Sequence, residues 1–171
     1  RSCARLHPHE AVRLLMSALR KFARFLAFGF GAGKAPVAPG TFGTLVGIPI
    51  YLLLQPMSAL TYAVVVLLMF GLGVWLCHVT EKDLGVHDHP GIVWDEIVGY
   101  LITMFMVPAG WVWIVAGFFL FRLFDIWKPF PIRQIERRIQ GGLGNMLADA
   151  LAGLYSLAAF RGAVYWMHIP G

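Results

Sequence analysis

Asp95 and Glu96 stand side by side in the stretch GIVWDEIVGY, residues 91–100, with apolar residues on both flanks. An ionised carboxylate next to hydrocarbon is costly unless a cation or a set of hydrogen-bond donors compensates it. Further along, Arg122, Asp125 and Lys128 recur at i, i+3 and i+6, which places them on one stripe of a helix. The stripe fits two uses. Its cations can grip a phosphate while the carboxylate serves a metal, or the three form a local ion-pair network that stops an apolar helix sinking too deep. Asp149 lies in a third apolar stretch, and Glu81, Asp83 and Asp88 occupy one polar connector. Only Glu10 and Glu136 fall outside these segments.

Carboxylates held close together repel one another unless a cation sits between them. Hard oxygen ligands, with few thiols or clustered histidines nearby, select Mg²⁺ or a similar ion and not zinc. Asp95, Glu96, Asp125 and Asp149 are therefore the expected ligands. His87 and His89, in GVHDHPG, fit three readings: metal ligands, acid–base groups or ordinary loop residues. Two glycine-rich stretches add possible anion contacts, GFGAGKAPVAPGTFGT (29–44), which contains Lys34, and GGLGNM (141–146). Glycine lets backbone N–H groups approach an anion, and a helix N-terminus adds a favourable dipole. Either stretch also reads as a plain turn between helices. The first is not a nucleotide P-loop, because Phe28 stands at the required first glycine and Ala35 replaces the Ser/Thr.

The elements that must position these groups are apolar. The chain has 171 residues, 58% of them hydrophobic and 13% charged, about half the usual charged share of a soluble domain. An all-α, compact helical membrane protein with four to five apolar helices is expected. The apolar stretches are 42–55, 58–79, 96–107, 111–127 and 145–167; the second is long enough to span roughly 30 Å of hydrocarbon, whereas the first and third are short. The connectors at 55–58 and 108–111 carry no charge, while the N-terminal segment and the 128–144 connector are rich in Lys and Arg. If each stretch crosses once, the basic connectors share one side, the cytoplasmic one by the positive-inside rule. The start of the third stretch, the end of the fourth and the start of the fifth then lie at one level, so their carboxylates converge in depth.

Residues 1–27 form a basic amphipathic segment, with Leu15, Leu19, Phe22 and Leu26 at helical spacing among cations. It reads as an interfacial helix on an anionic leaflet or as a solvated basic tail. It lacks the apolar run and cleavage site of a secretory signal. No basic–aromatic nucleic-acid module is present, so a membrane surface accounts for the net charge of +5. Residues 28–171 form a single helical domain. Cys3 and Cys77 are too far apart in sequence and context to suggest a disulfide framework; neither starts a C-x5-R phosphatase loop, and Cys77 reads as a packing residue.

Four motifs in order resemble the phosphatidylglycerophosphatase A family: GxGxxPxxPGTxG (31–43), GVHDHxxIVWDExxG (85–99), FRxxDxWKPxPI (121–132), and GGxG followed by Asp149 and Ala-Gly (141–153). The resemblance covers residues 28–153. It implies a Mg²⁺-dependent lipid phosphatase of the bacterial inner membrane, multi-pass, with its active site on the cytoplasmic side. Such an enzyme converts phosphatidylglycerophosphate to phosphatidylglycerol and phosphate. The matching residues are Asp95, Glu96, Asp125, His87 and Asp88 for catalysis, and Asp83, Asp95, Glu96, Asp125 and Asp149 for the metal. Arg122 and Lys128, with Lys34, would hold the phosphate. The chain departs from the family where two consecutive aspartates are common, since Ala148 precedes Asp149 and that helix offers one carboxylate fewer.

Two alternatives carry different expectations. A small ion transporter would place ionisable groups near mid-bilayer, yet here they gather at one end, with Arg161 the clearest exception. A phosphatase acting on another lipid phosphate keeps the chemistry and changes the headgroup.

Overall fold

The computed structural model describes residues 8–86 and 89–167, and among them every regular element is helical. The order is α1 (Pro8–Ala27), a 3-10 turn (Gly29–Lys34), α2 (Pro39–Leu54), α3 (Ala59–Leu84), α4 (Trp94–Thr103), α5 (Trp111–Trp127), α6 (Ile132–Arg138) and α7 (Gly142–Met167). Five of these follow the apolar stretches. Two, α3 and the Gly142–Tyr165 part of α7, are long and apolar enough to cross a membrane, and α2 is a shorter apolar helix.

α4 lies at the centre, packed against α2, α3, α5 and α7. Its ten residues are apolar nearly all round after the first turn, as befits a helix with neighbours on every side. Ile97, Tyr100, Leu101 and Thr103 are fully buried. Its last carbonyls are also engaged. The Tyr62 hydroxyl donates to Leu101 O at 2.7 Å, and Met104 N–H donates to Tyr100 O. The outer faces of α3 and α5 expose Leu60, Leu67, Leu68, Val112, Phe119 and Ile126, far more apolar surface than a water-soluble monomer leaves uncovered.

Two boundaries differ from those read in the sequence. α3 continues through Glu81, Lys82 and Asp83 and stops at Gly85, whose φ of 65° is the left-handed C-terminal conformation. Polarity alone did not end the helix; the glycine did. The basic 128–144 connector contains α6, which begins after the Pro129–Pro131 turn. α1 packs on α3, and its small residues Ala23 and Ala27 are buried, while Leu15, Leu19 and Phe22 remain exposed beside its cations.

Candidate active site

Asp95 and Gly99 share one face of α4, and Asp149 and Gly153 share one face of α7, each pair four residues apart. The two helices run the same way and cross at the glycines. The Thr103 hydroxyl donates to Gly99 O at 3.0 Å and reaches Gly153 O at 3.5 Å. A Cβ on Gly153 would stand 2.5 Å from Gly99 O, and one on Gly99 would stand 2.8 Å from Asp149 O. With no side chain between them the backbones come close, and the carboxylates one turn away meet. Oxygens of Asp95, Glu96 and Asp149 lie within 4.8 Å of one another. Asp95 and Asp149 are buried, and Glu96 Oε2 is enclosed with no hydrogen-bond partner.

α5 supplies the next group. Asp125 is buried, close enough to Asp149 for the two charges to interact, and it accepts from Arg122 Nη1 at 2.5 Å. The same Arg122 atom borders the first turn of α2, where a Cβ on Gly40 would lie 3.0 Å from it and would collide with the Glu96 carboxylate. Gly40 is thus a glycine because a carboxylate and a guanidinium fill the space of its side chain. The positive end of α2 faces Glu96, a favourable arrangement.

Lys128 closes α5 in a left-handed conformation, φ 46°, and pairs with Glu136 on α6. Burial by itself would lower its pKa, but the hydrogen bond to Glu136 and the charges of Glu136, Asp149 and Asp125 raise it, so Lys128 stays cationic. Glu136 lies outside the motifs that carry the other site residues, and only the fold brings it to Lys128. The i, i+3, i+6 stripe is therefore divided between two ion pairs on the edge of the carboxylate group.

Other expected residues lie elsewhere. Asp83 faces Arg20 of α1 at 3.6 Å and is not in the group formed by Asp95, Glu96 and Asp149. Lys34 is exposed at the end of the 3-10 turn. His87 and Asp88 fall outside the described residues. His89 accepts from Gly91 N–H at 3.0 Å, a local loop contact. Cys77 is a free, fully buried thiol packed where Gly142 begins α7, as a packing residue should be. One polar contact was missed, Asn145 Nδ2 donating to Glu81 Oε1 at 3.3 Å, between α7 and α3. Nothing in the sequence pairs those two positions.

The donor set suits a hard divalent cation. It consists of carboxylate oxygens from two helices with a third helix alongside, and it contains a buried oxygen, Glu96 Oε2, that has no protein donor. Asp95, Glu96 and Asp149 would hold such an ion.

Comparison with known proteins agrees with this arrangement. The family model described as Phosphatidylglycerophosphatase A matches residues 25–164. A protein of Escherichia coli (strain K12) named Phosphatidylglycerophosphatase A is 48% identical over 132 residues, 77% of each chain. A protein of the same name from Haemophilus influenzae is 44% identical over 83% of this chain and 88% of its own length. A Bacteroides thetaiotaomicron protein named Putative phosphatidylinositol-3-phosphatase is 44% identical over 75% of this chain and 84% of its own. No solved structure matches. With the motifs, the carboxylate group and a match over most of its length, the chain belongs to the phosphatidylglycerophosphatase A family.

Proposed function

We propose that the protein hydrolyses phosphatidylglycerophosphate to phosphatidylglycerol and inorganic phosphate, with Mg²⁺ as cofactor, at the cytoplasmic face of a bacterial inner membrane. The observation that carries this reading is the meeting of Asp95, Glu96 and Asp149, with Asp125 beside them, around the unpartnered Glu96 oxygen. Arg122 and Lys128 stand at the edge of that group as cations of the kind that hold a phosphate.

In this reading Asp95, Glu96 and Asp149 would hold Mg²⁺, which when bound would supply positive charge for the phosphoryl group and a more acidic water. Arg122 turns from Asp125 toward the non-bridging oxygens, where a guanidinium can donate two parallel hydrogen bonds. Lys128 adds a fixed positive charge, and Lys34 supplies a third cation from the 3-10 turn. Water adds in line to phosphorus as the bond to the glycerol oxygen breaks. A buried carboxylate oxygen, of Asp95 or Asp125, accepts the proton that water loses, and a proton returns to the departing glycerol oxygen. His87 and Asp88 enter as catalytic residues through the family motif. Asp83, engaged with Arg20, stands outside the ligand set.

The same proposal sets the protein in the membrane. α3 and α7 span it, and α2, α4 and α5 cross or re-enter between them, with residues 28–171 acting as one unit. Segment 1–27 lies on the surface, its exposed Leu15, Leu19 and Phe22 facing lipid. The phosphate then meets the carboxylates at headgroup depth, and the acyl chains never leave the bilayer.

The test is phosphate release from phosphatidylglycerophosphate in mixed micelles, with EDTA and then with Mg²⁺ restored. Activity should vanish and return. Hydrolysis indifferent to chelation would refute the metal assignment.

A further inference from the structure

α6 is only seven residues long, yet two polar contacts from one of its faces close on the end of α5. Arg133 Nη2 donates to Trp127 O at 3.2 Å, and Glu136, three residues further on, accepts from Lys128 Nζ. The short helix is itself anchored. Ile132 is fully buried, and the Tyr155 hydroxyl of α7 donates to Phe130 O at 3.2 Å in the turn that precedes it. We propose that α6 is a bracket for Lys128 and that Glu136 is a positioning residue, which holds the ammonium at the edge of the carboxylate group and off Asp125 and Asp149. The inference rests on the reading of Lys128 as a cation for the substrate phosphate, and it adds what keeps that cation available.

Charge explains why a holder is needed. Lys128 feels the negative charges of Asp149 and Asp125 as well as that of Glu136. An ammonium on a flexible stem is free to fold onto those two carboxylates, where it would be lost to the phosphate. Glu136 supplies a competing attraction from outside the group. The two side chains of the pair are only 27% and 24% exposed, so solvent screens their attraction weakly. Three donors on the ammonium also let Lys128 keep Glu136 while another N–H reaches a phosphate oxygen. The two cations are thus held differently, Arg122 by a member of the carboxylate group and Lys128 by a residue apart from it.

The backbone explains why the holder comes from α6. Lys128 has φ 46°, a left-handed turn that takes the chain out of α5. The Pro129–Pro131 turn then leads into α6, which folds back beside the helix end it has just left. Arg133, Arg137 and Arg138 are exposed, whereas Glu136 is partly buried. The acid of this otherwise basic helix is the charge turned toward the site.

The experiment is steady-state hydrolysis of phosphatidylglycerophosphate in mixed micelles by wild type, Glu136→Gln, Lys128→Met and the double variant. Glu136→Gln keeps the shape and removes the charge. It should raise KM about tenfold, the worth of one charge-assisted hydrogen bond, and leave kcat within about threefold. In the Lys128→Met background the same substitution should change KM by less than about twofold, because Glu136 acts through Lys128. Glu136→Asp, which retains the charge, should bring KM back to within about threefold of wild type. If Glu136→Gln does not fold, Arg133→Ala loosens the same bracket and should raise KM only while Lys128 is present. A folded Glu136→Gln enzyme with the wild-type KM, or a loss that persists undiminished without Lys128, would overturn the positioning role alone. Lys128→Met with an unchanged KM would overturn it together with the place of Lys128 in the site. A wild type inert toward the lipid would overturn the activity itself.

Discussion

Replacing Gly153 with alanine adds one methyl group, 2.5 Å from Gly99 O and 3.0 Å from Ile102 Cβ, where ordinary contact begins at 3.4 Å. The nearer obstacle is backbone in the middle of α4 and cannot swing aside. α4 and α7 must part by about 0.9 Å, the difference between those two distances. Such overpacking costs about 1–3 kcal/mol in stability. The larger effect is on chemistry, because Asp95 and Asp149 sit one turn from this contact and separate with it. A displacement near 1 Å in a catalytic group lowers rates by about a hundredfold. Gly162→Ala is the control, since a Cβ there meets nothing within 4 Å and alanine favours the helix by about 1 kcal/mol. Thermal unfolding and phosphate release, measured on both variants and on wild type, separate the two effects. A folded Gly153→Ala protein with kcat within about twofold of wild type would show that the crossing does not set the carboxylate spacing.

Further variants address single contacts. Asp95→Asn and Asp125→Asn should abolish phosphate release while the protein still inserts, checked by membrane fractionation with the assay; near-normal turnover in both would defeat the carboxylate assignment. Ser58→Ala removes the hydroxyl that accepts from Thr61 N–H at 3.2 Å at the start of α3. It should cost about 1 kcal/mol in thermal unfolding and leave kcat unchanged. Tyr62→Phe deprives Leu101 O of its donor and should cost about 1–2 kcal/mol with activity kept; an inactive but stable variant would mean that Tyr62 does more than satisfy α4.

Part of the carboxylate group could be read from the chain because apolar stretches and helix direction limit which helix ends can meet. Alternation of apolar stretches led to the expectation that Asp95, Glu96, Asp125 and Asp149 share one level, and of these Asp95, Glu96 and Asp149 come together. Lateral position was not legible. Asp83 was expected with the others, but on α3 it pairs with Arg20 of α1. Lys128 finds Glu136 because α6, seven residues and too short for a periodic pattern, folds back beside it. The glycines were legible only as flexible points. Their actual work at positions 40, 99 and 153 is to leave space for atoms distant in sequence, which no local pattern encodes.

Three buried hydroxyls on three helices donate to carbonyls of their own helix, Thr44 to Gly40 O, Thr103 to Gly99 O and Ser156 to Ala152 O, at 2.9, 3.0 and 2.7 Å. Each of these segments satisfies that hydroxyl before it touches a neighbour. Shape, in the form of the glycine notches, is then left to decide which helix docks on which, as it does among helices in lipid. The carboxylates of the candidate metal group behave in the opposite way: α4 carries Asp95 and Glu96, α7 carries Asp149, and only docking of the two helices brings the three together. Ligand capture and helix assembly should accordingly favour one another, so that a divalent ion acts as a late clasp on a bundle already in position.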